Sequence, residues 1–214
     1  PQVSLYLDQI PARQQAVIEL RTRLINVVSA NGGVHFTNTA TYTYADSASV
    51  PTLSGGSDTS VPILIIEPSL SLAKSVANVT NPGNPPQGGD ILRYTLNFTA
   101  AGGAVGDNFS DAFDLSIDDN LSLGLLYSGN PTVNGAGNTI GAPVVTGDGT
   151  TMPQTLAWNL GNGNADIDIQ EGAVVSITYD VLVLDNVLIN QILTNSATAQ
   201  WTGLDNASIY ERTG

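Results

Sequence analysis

Through most of the chain beyond residue 67, apolar and polar residues alternate with a period of two. Each alternating run is closed by Gly, Pro, Asn or Asp. Alternation of that kind marks half-buried strands separated by turns. It predicts strands at 69–79 (SLSLAKSVANV), 90–100 (DILRYTLNFTA), 107–113 (DNFSDAF), 154–160 (QTLAWNL), 173–183 (AVVSITYDVLV) and 193–201 (LTNSATAQW). NPGNPPQGGD at 81–90 and NGAGNTIGAP at 134–143 read as loops, rich in residues that accept turn geometry. No segment has the spacing and capping of an amphipathic helix of ordinary length, and 117–127 (IDDNLSLGLLY) is predicted to hold at most a helical turn. Strands of this length and spacing pack as an antiparallel, immunoglobulin-like β-sandwich, so the expected class is all-β.

The alternating pattern is also written twice. FTNTATYTYAD at 36–46 matches LTNSATAQWTG at 193–203, AVIELRTRL at 16–24 matches VVSITYDVLV at 174–183, and PQVSLYL at 1–7 matches PQTLAWNL at 153–160. Three blocks in the same order indicate an internal repeat with a period of about 150 residues. The expected organisation is therefore the C-terminal part of one repeat plus a linker at 1–66, followed by a complete repeat at 67–214. The chain reads as an excised or processed piece, with a stiff, proline-marked join at Glu67–Pro68. Its closing YERTG stands where the first copy runs on through VPTLSGGSDTSVPILIIEP.

Charge narrows the function classes. Six Lys and Arg stand against nineteen Asp and Glu, for a formal net charge of -13. A surface so poor in cations cannot neutralise phosphates, which excludes nucleic-acid binding, and anionic membranes would repel it. No apolar run reaches membrane-spanning length, so no membrane insertion is expected. The absence of Cys removes disulfides, thiol catalysis and cysteine metal sites. Acidic, lysine-poor chains rich in Thr, Asn and Gly are common among exported bacterial proteins, which places this one outside the cell, secreted or at the surface.

Strand parity then exposes an anomaly. In 69–79, Leu70, Leu72, Lys74 and Val76 share a face, so the only lysine of the chain points to the apolar side. In 193–201, Asn195 shares its face with Leu193, Ala197, Ala199 and Trp201. In 107–113, Asp111 falls with Phe109 and Phe113. Three inward polar side chains are costly unless they meet one another. The milder alternative is a salt bridge from Lys74 to Asp111 at the sheet edge, with Asn195 bonding a loop. The equivalent residue in the first copy, Asn38, lies with Phe36, Ala40, Tyr42 and Tyr44, and no lysine precedes it.

LSLAKSV, NPGNPPQGGDILRYTLNFT, DNFSDAF and LTNSATAQW, taken in order, resemble the conserved repeat called domain of unknown function eleven. That repeat occurs in tandem in large bacterial surface and secreted proteins. The resemblance covers most of 68–214, and the tail of the pattern covers 1–66. It implies an immunoglobulin-like fold and a non-catalytic role as a stalk or extender module of an adhesin, or as a filament subunit completed by strand addition from a neighbour. Partners would be neighbouring repeats or identical subunits. The loop at 128–150, longer than usual for the family, carries the rival expectation of an adhesin module that recognises a glycan or protein.

Related pilin and adhesin sandwiches join such inward residues in an intramolecular Lys–Asn isopeptide bond. By position the resemblance assigns Lys74, Asn195 and Asp111 to it. The types suit the chemistry: a desolvated lysine becomes a nucleophile, a buried protonated Asp polarises the amide, and folding supplies proximity. Asn38 would be the unpaired equivalent. Asn164, Asp166, Asp168 and Glu171, near one turn, form a candidate calcium set of hard oxygen ligands, with solvated loop acid as the alternative reading. Apart from calcium no cofactor is expected. No nucleophile–base pair stands out, and a His-centred site would rest on His35 alone.

Overall fold

The computed structural model describes residues 2–23, 33–45, 53–104, 106–206 and 208. Pro1, Leu24, Asp46, Val50, Pro51, Thr52 and the closing YERTG, all within the expected repeat, lie outside the described residues. The protein is an all-β structure of antiparallel sheets. Four short strands precede the sandwich: β1 (His35–Phe36), β2 (Thr39–Ala45), β3 (Leu53–Thr59) and β4 (Ile63–Leu64). The sandwich follows as β5 (Leu70–Asn78), β6 (Ile91–Ala100), β7 (Phe113–Leu121), β8 (Leu125–Val133), β9 (Thr139–Ile140), β10 (Val144–Thr146), β11 (Gln154–Trp158), β12 (Ala165–Asp166), β13 (Val174–Val183) and β14 (Asn195–Thr202).

Two four-stranded sheets face each other, one ordered β5-β6-β13-β8 and the other β10-β11-β7-β14. Alternation in the sequence dictates which side chains enter between them. Leu92, Tyr94, Leu96, Phe98 and Ala100 point inward from β6, and Val175, Ile177, Tyr179, Val181 and Val183 from β13. The other sheet contributes Leu115, Ile117, Leu121, Leu156 and Trp158 to the same core. Outward positions of β6 carry Arg93, whose guanidinium makes a two-pronged contact with Asp180 at 2.8 and 2.9 Å.

Three expectations need correction. The run 107–113 is not a regular strand; its pairing is limited to single bridges from Phe109 to Glu67 and from Ala112 to Ile169. The strand begins at Phe113 and runs through Leu121, and 117–127 holds the end of β7 and the start of β8, not a helical turn. Asp114, at φ 51, takes a left-handed backbone conformation that breaks the register between the two segments. Nor is 128–150 a free loop. Residues up to Val133 pair with β13 and Val144–Thr146 with β11. Gly129, Asn130 and Pro131, inside the expected loop, form a bulge in the edge strand β8, where Pro is tolerated and Asn130 Nδ2 donates to Asp180 at 2.8 Å.

The segment before the sandwich is different in kind. Residues 2–23 form no strand and expose Val3, Leu5, Tyr6, Val17 and Leu20. An alternating run becomes a strand only when a neighbour accepts its hydrogen bonds, and among the described residues none does here. The duplicated phrase does form a strand in both places. In β2 the backbone groups of Asn38, Ala40, Tyr42 and Tyr44 turn towards β3, as the bond from Ser60 N to Asn38 O and the pairing register show. In β14 it is the other set, from Thr194, Ser196 and Thr198, that meets β7, starting with the bond from Ser122 N to Thr194 O. Matched through Asn38 and Asn195, the two copies use opposite edges of the same strand. The edge of β2 that corresponds to the β7-facing edge of β14 has no strand beside it among the described residues.

Candidate functional site

β5 and β14 are edge strands of opposite sheets, and the inward position of each meets the other across the sandwich. Lys74 pairs in register with Leu96 on β6, so its side chain follows Leu70 and Leu72 into the interior. There its Nζ donates to Asn195 Oδ1 at 2.6 Å and to Asp119 Oδ2 at 2.6 Å. Asp119 lies on β7 between Ile117 and Leu121, both fully buried, and is itself fully buried. Tyr179, from β13, closes the circle. Its phenolic hydroxyl donates to Asp119 Oδ2 at 2.5 Å and accepts from Asn195 Nδ2 at 2.9 Å.

Aromatic rings line this network on its inner side. Tyr94 stacks on Tyr179 with ring centroids 5.6 Å apart, and Trp158 leans on Tyr179 at 5.4 Å. Lys74 Nζ sits 5.2 Å from the centroid of the Tyr94 ring. The lysine side chain is 15% exposed and the Asp119 side chain 0%. Trp158 is anchored through its indole N–H, which donates to Gly141 O at 2.9 Å.

Burial drives both members of the pair towards neutrality. Desolvation lowers the pKa of Lys74, against the opposing attraction of Asp119, and desolvation raises that of Asp119 against the attraction of Lys74. The two directions agree: burial moves each group away from its charged form. Burial likewise pushes the Tyr179 hydroxyl far up, so it stays protonated at all ordinary pH. Asp119 Oδ1 is buried without a hydrogen-bond partner, a costly arrangement for a carboxylate and a milder one for a neutral acid. An amine nitrogen beside an amide carbonyl, with a carboxyl group in contact, is a geometry in which acyl transfer between side chains is chemically open.

Of the residues singled out in the sequence, Lys74 and Asn195 are brought together and Asp111 is not. Asp111 precedes β7, and its Oδ1 accepts the Glu171 N–H at 2.8 Å. The carboxyl group in contact with Lys74 is that of Asp119. Asn38 is exposed, and its backbone N–H donates to Ser60 Oγ at 3.0 Å. His35 is exposed in the two-residue strand β1.

The four suggested calcium ligands do not converge. Asn164 spends its amide on the chain itself: Oδ1 accepts from Asn159 N at 2.9 Å, and Nδ2 donates to Ala157 O at 2.9 Å and Ala142 O at 3.2 Å. Asp168 Oδ1 accepts from Asp114 N at 3.1 Å. Burial, then the neighbouring carboxylates, raise its pKa. Among the described residues, the group of three carboxylates that come within 4.8 Å of one another is Asp114, Asp168 and Asp205. Glu171 faces Asp107 instead, whose charge is the main cause of its raised pKa.

No protein-family model matches the chain, and no curated protein matches it. Among solved structures it is similar to the full-length structure of the RrgB pilus protein from Streptococcus pneumoniae, with 16% identity and a TM-score of 0.37. The match covers 78% of this chain and 29% of that one, so the chain spans less than a third of that pilus protein's length.

Proposed function

We propose that this chain is a non-catalytic structural module of a bacterial extracellular surface protein or fibre, closed by an intramolecular isopeptide bond between Lys74 and Asn195. One observation carries the reading. Lys74 Nζ is held at 2.6 Å from both Asn195 Oδ1 and Asp119 Oδ2, in an aromatic pocket whose burial lowers the pKa of the lysine and raises that of the acid. The tandem-repeat resemblance and the pairing of 128–133 and 144–146 into sheets favour this role over that of a ligand-binding adhesin module. Neutral Lys74 attacks Asn195 Cγ, the C–Nδ2 bond breaks, and ammonia leaves. Asp119, not Asp111, supplies the acid. High-resolution mass spectrometry of the intact chain tests the reading: a mass lower than the sequence by one ammonia is expected, with fragments joined through Lys74 and Asn195. An unshifted mass overturns it.

A second reading for residues 1–66 is favoured by the edge of β2 that no strand covers among the described residues. The corresponding edge of β14 is covered by β7, and this edge of β2 would take a strand of the same kind, contributed by an adjoining repeat or a neighbouring subunit. This would complete a second sandwich and join modules into an array.

A further inference from the structure

We infer that Tyr179 is a catalytic residue of bond formation, relaying the proton of Asp119 to the leaving nitrogen of Asn195. The inference rests on the isopeptide reading and adds a participant to it. Amide nitrogen leaves as ammonia only after it gains a proton, so some group must deliver one to Nδ2 once Lys74 has added to Cγ. The side chain hydrogen-bonded to Nδ2 is Tyr179, whose hydroxyl oxygen lies 2.9 Å away. The same hydroxyl is 2.5 Å from Asp119 Oδ2. It therefore stands between the acid and the leaving group, in contact with both.

The proton count closes. Addition of Nζ to Cγ forms the new C–N bond and moves the carbonyl π pair onto Oδ1. Nδ2 loses its amide resonance and acquires a basic lone pair. Tyr179 passes its hydroxyl proton to Nδ2 and takes the proton of Asp119 in return. Asp119 Oδ2, also 2.6 Å from Lys74 Nζ, recovers a proton from the nitrogen that has just become cationic. The carbonyl re-forms and ammonia departs. Asp119 and Tyr179 end as they began, and the products are a Lys–Asn amide and one ammonia. The phenol never needs to ionise as a free group, because gain and loss occur together; burial of its ring at 0% exposure keeps water from replacing it.

Tyr179→Phe removes the hydroxyl and keeps the ring that stacks on Tyr94 and Trp158. Tyr127→Phe is the matched control: its ring also packs against Tyr179, at 6.4 Å, but its buried hydroxyl has no hydrogen-bond partner. Each chain is refolded from denaturant in its unreacted form, and the ammonia-deficient fraction is followed by intact mass. Cross-linking about 100-fold slower in Tyr179→Phe, at an unchanged rate in Tyr127→Phe, is the expected result. Equal rates in wild type and Tyr179→Phe, or an equal slowing in both variants, would overturn the relay. Wild type itself, followed in mixtures of H2O and D2O, needs no variant: a bowed dependence on deuterium fraction reports two protons in motion, and a straight line overturns the relay. An unshifted wild-type mass instead removes the isopeptide reading, so the two failures are distinguishable.

Discussion

Lys74 and Asn195 are 121 positions apart in the chain, and Nζ and Oδ1 lie 2.6 Å apart. They sit on the first and last strands of the sandwich, in different sheets, so the contact exists only once both sheets have closed on each other. Sequence distance and spatial contact together make this pair a reporter of the complete fold.

A covalent bond at that pair should stabilise the protein strongly. Closing a loop of this length removes about 5 kcal/mol of unfolded-chain freedom on the scale derived for disulfides. For a domain of this size that corresponds to a shift of about 10–20 °C in Tm. Lys74→Ala should melt lower by at least that amount in scanning calorimetry, since the buried Asp119 also loses its partner. Asn195→Ala should lose the cross-link while keeping the Lys74–Asp119 pair, and should fall between wild type and Lys74→Ala.

Asp119 and Asp111 have opposite fates on mutation. Asp119→Asn should give a chain whose intact mass equals that of its sequence, because no carboxyl remains to move the proton. Asp111→Asn should cross-link fully and cost no more than about 1 kcal/mol in urea unfolding, since Asp111 contributes a backbone hydrogen bond outside the pocket.

Acid should weaken the sandwich through other carboxylates. Asp180 is held below the usual range mainly by its hydrogen bonds to Arg93, Asp90 by the amide of Asn78 and the Gln87 N–H, and Asp148 by the Thr151 hydroxyl and three backbone N–H groups. A depressed native pKa means that the stabilisation is present above the unfolded value and disappears as pH falls through the native one. Urea midpoints should therefore hold from neutrality to about pH 5 and decline below about pH 4. Asp180→Asn should start lower and decline less. Asp119, with its pKa raised, acts in the opposite sense and offsets part of the loss in any variant that cannot cross-link.

Amide exchange should show the parity of β2 directly. The N–H groups of Ala40, Tyr42 and Tyr44 face β3 and should exchange slowly, whereas those of Thr39, Thr41 and Thr43 face the open edge and should exchange fast. Binding of an added strand should protect the second set and leave the first unchanged. Slow exchange at all six positions of the isolated chain would show the edge to be covered already.

How much of this was legible in the sequence depended on whether the strands were regular. β5 and β14 alternate without interruption, and parity alone turned Lys74 and Asn195 inward. Asp119 was equally readable in principle, in the series Leu115, Ile117, Asp119, Leu121. The series was obscured because Asp118 and Asp119 are adjacent and because the left-handed Asp114 breaks the phase just before it. DNFSDAF has the alternation of a strand but pairs only at isolated bridges, so its parity carried no information about Asp111. β8 was hidden by Gly129, Asn130 and Pro131, whose turn chemistry serves a bulge. Tyr179 looked like one more inward aromatic on β13, and nothing local distinguishes its hydroxyl; only the meeting of four strands gives it a task.

The placement of the Lys74–Asn195 pair has a mechanical consequence. A pull applied to both ends of the sandwich enters through β5 and leaves through β14. With the amide in place, tension would pass from Lys74 to Asn195 through covalent bonds, bypassing β6, β7, β8 and β13 altogether. The bypassed chain represents about 400 Å of contour that could never be paid out. Such a module would behave under force as a link whose cross-linked part has nearly fixed length, extending only by the segments outside the bond.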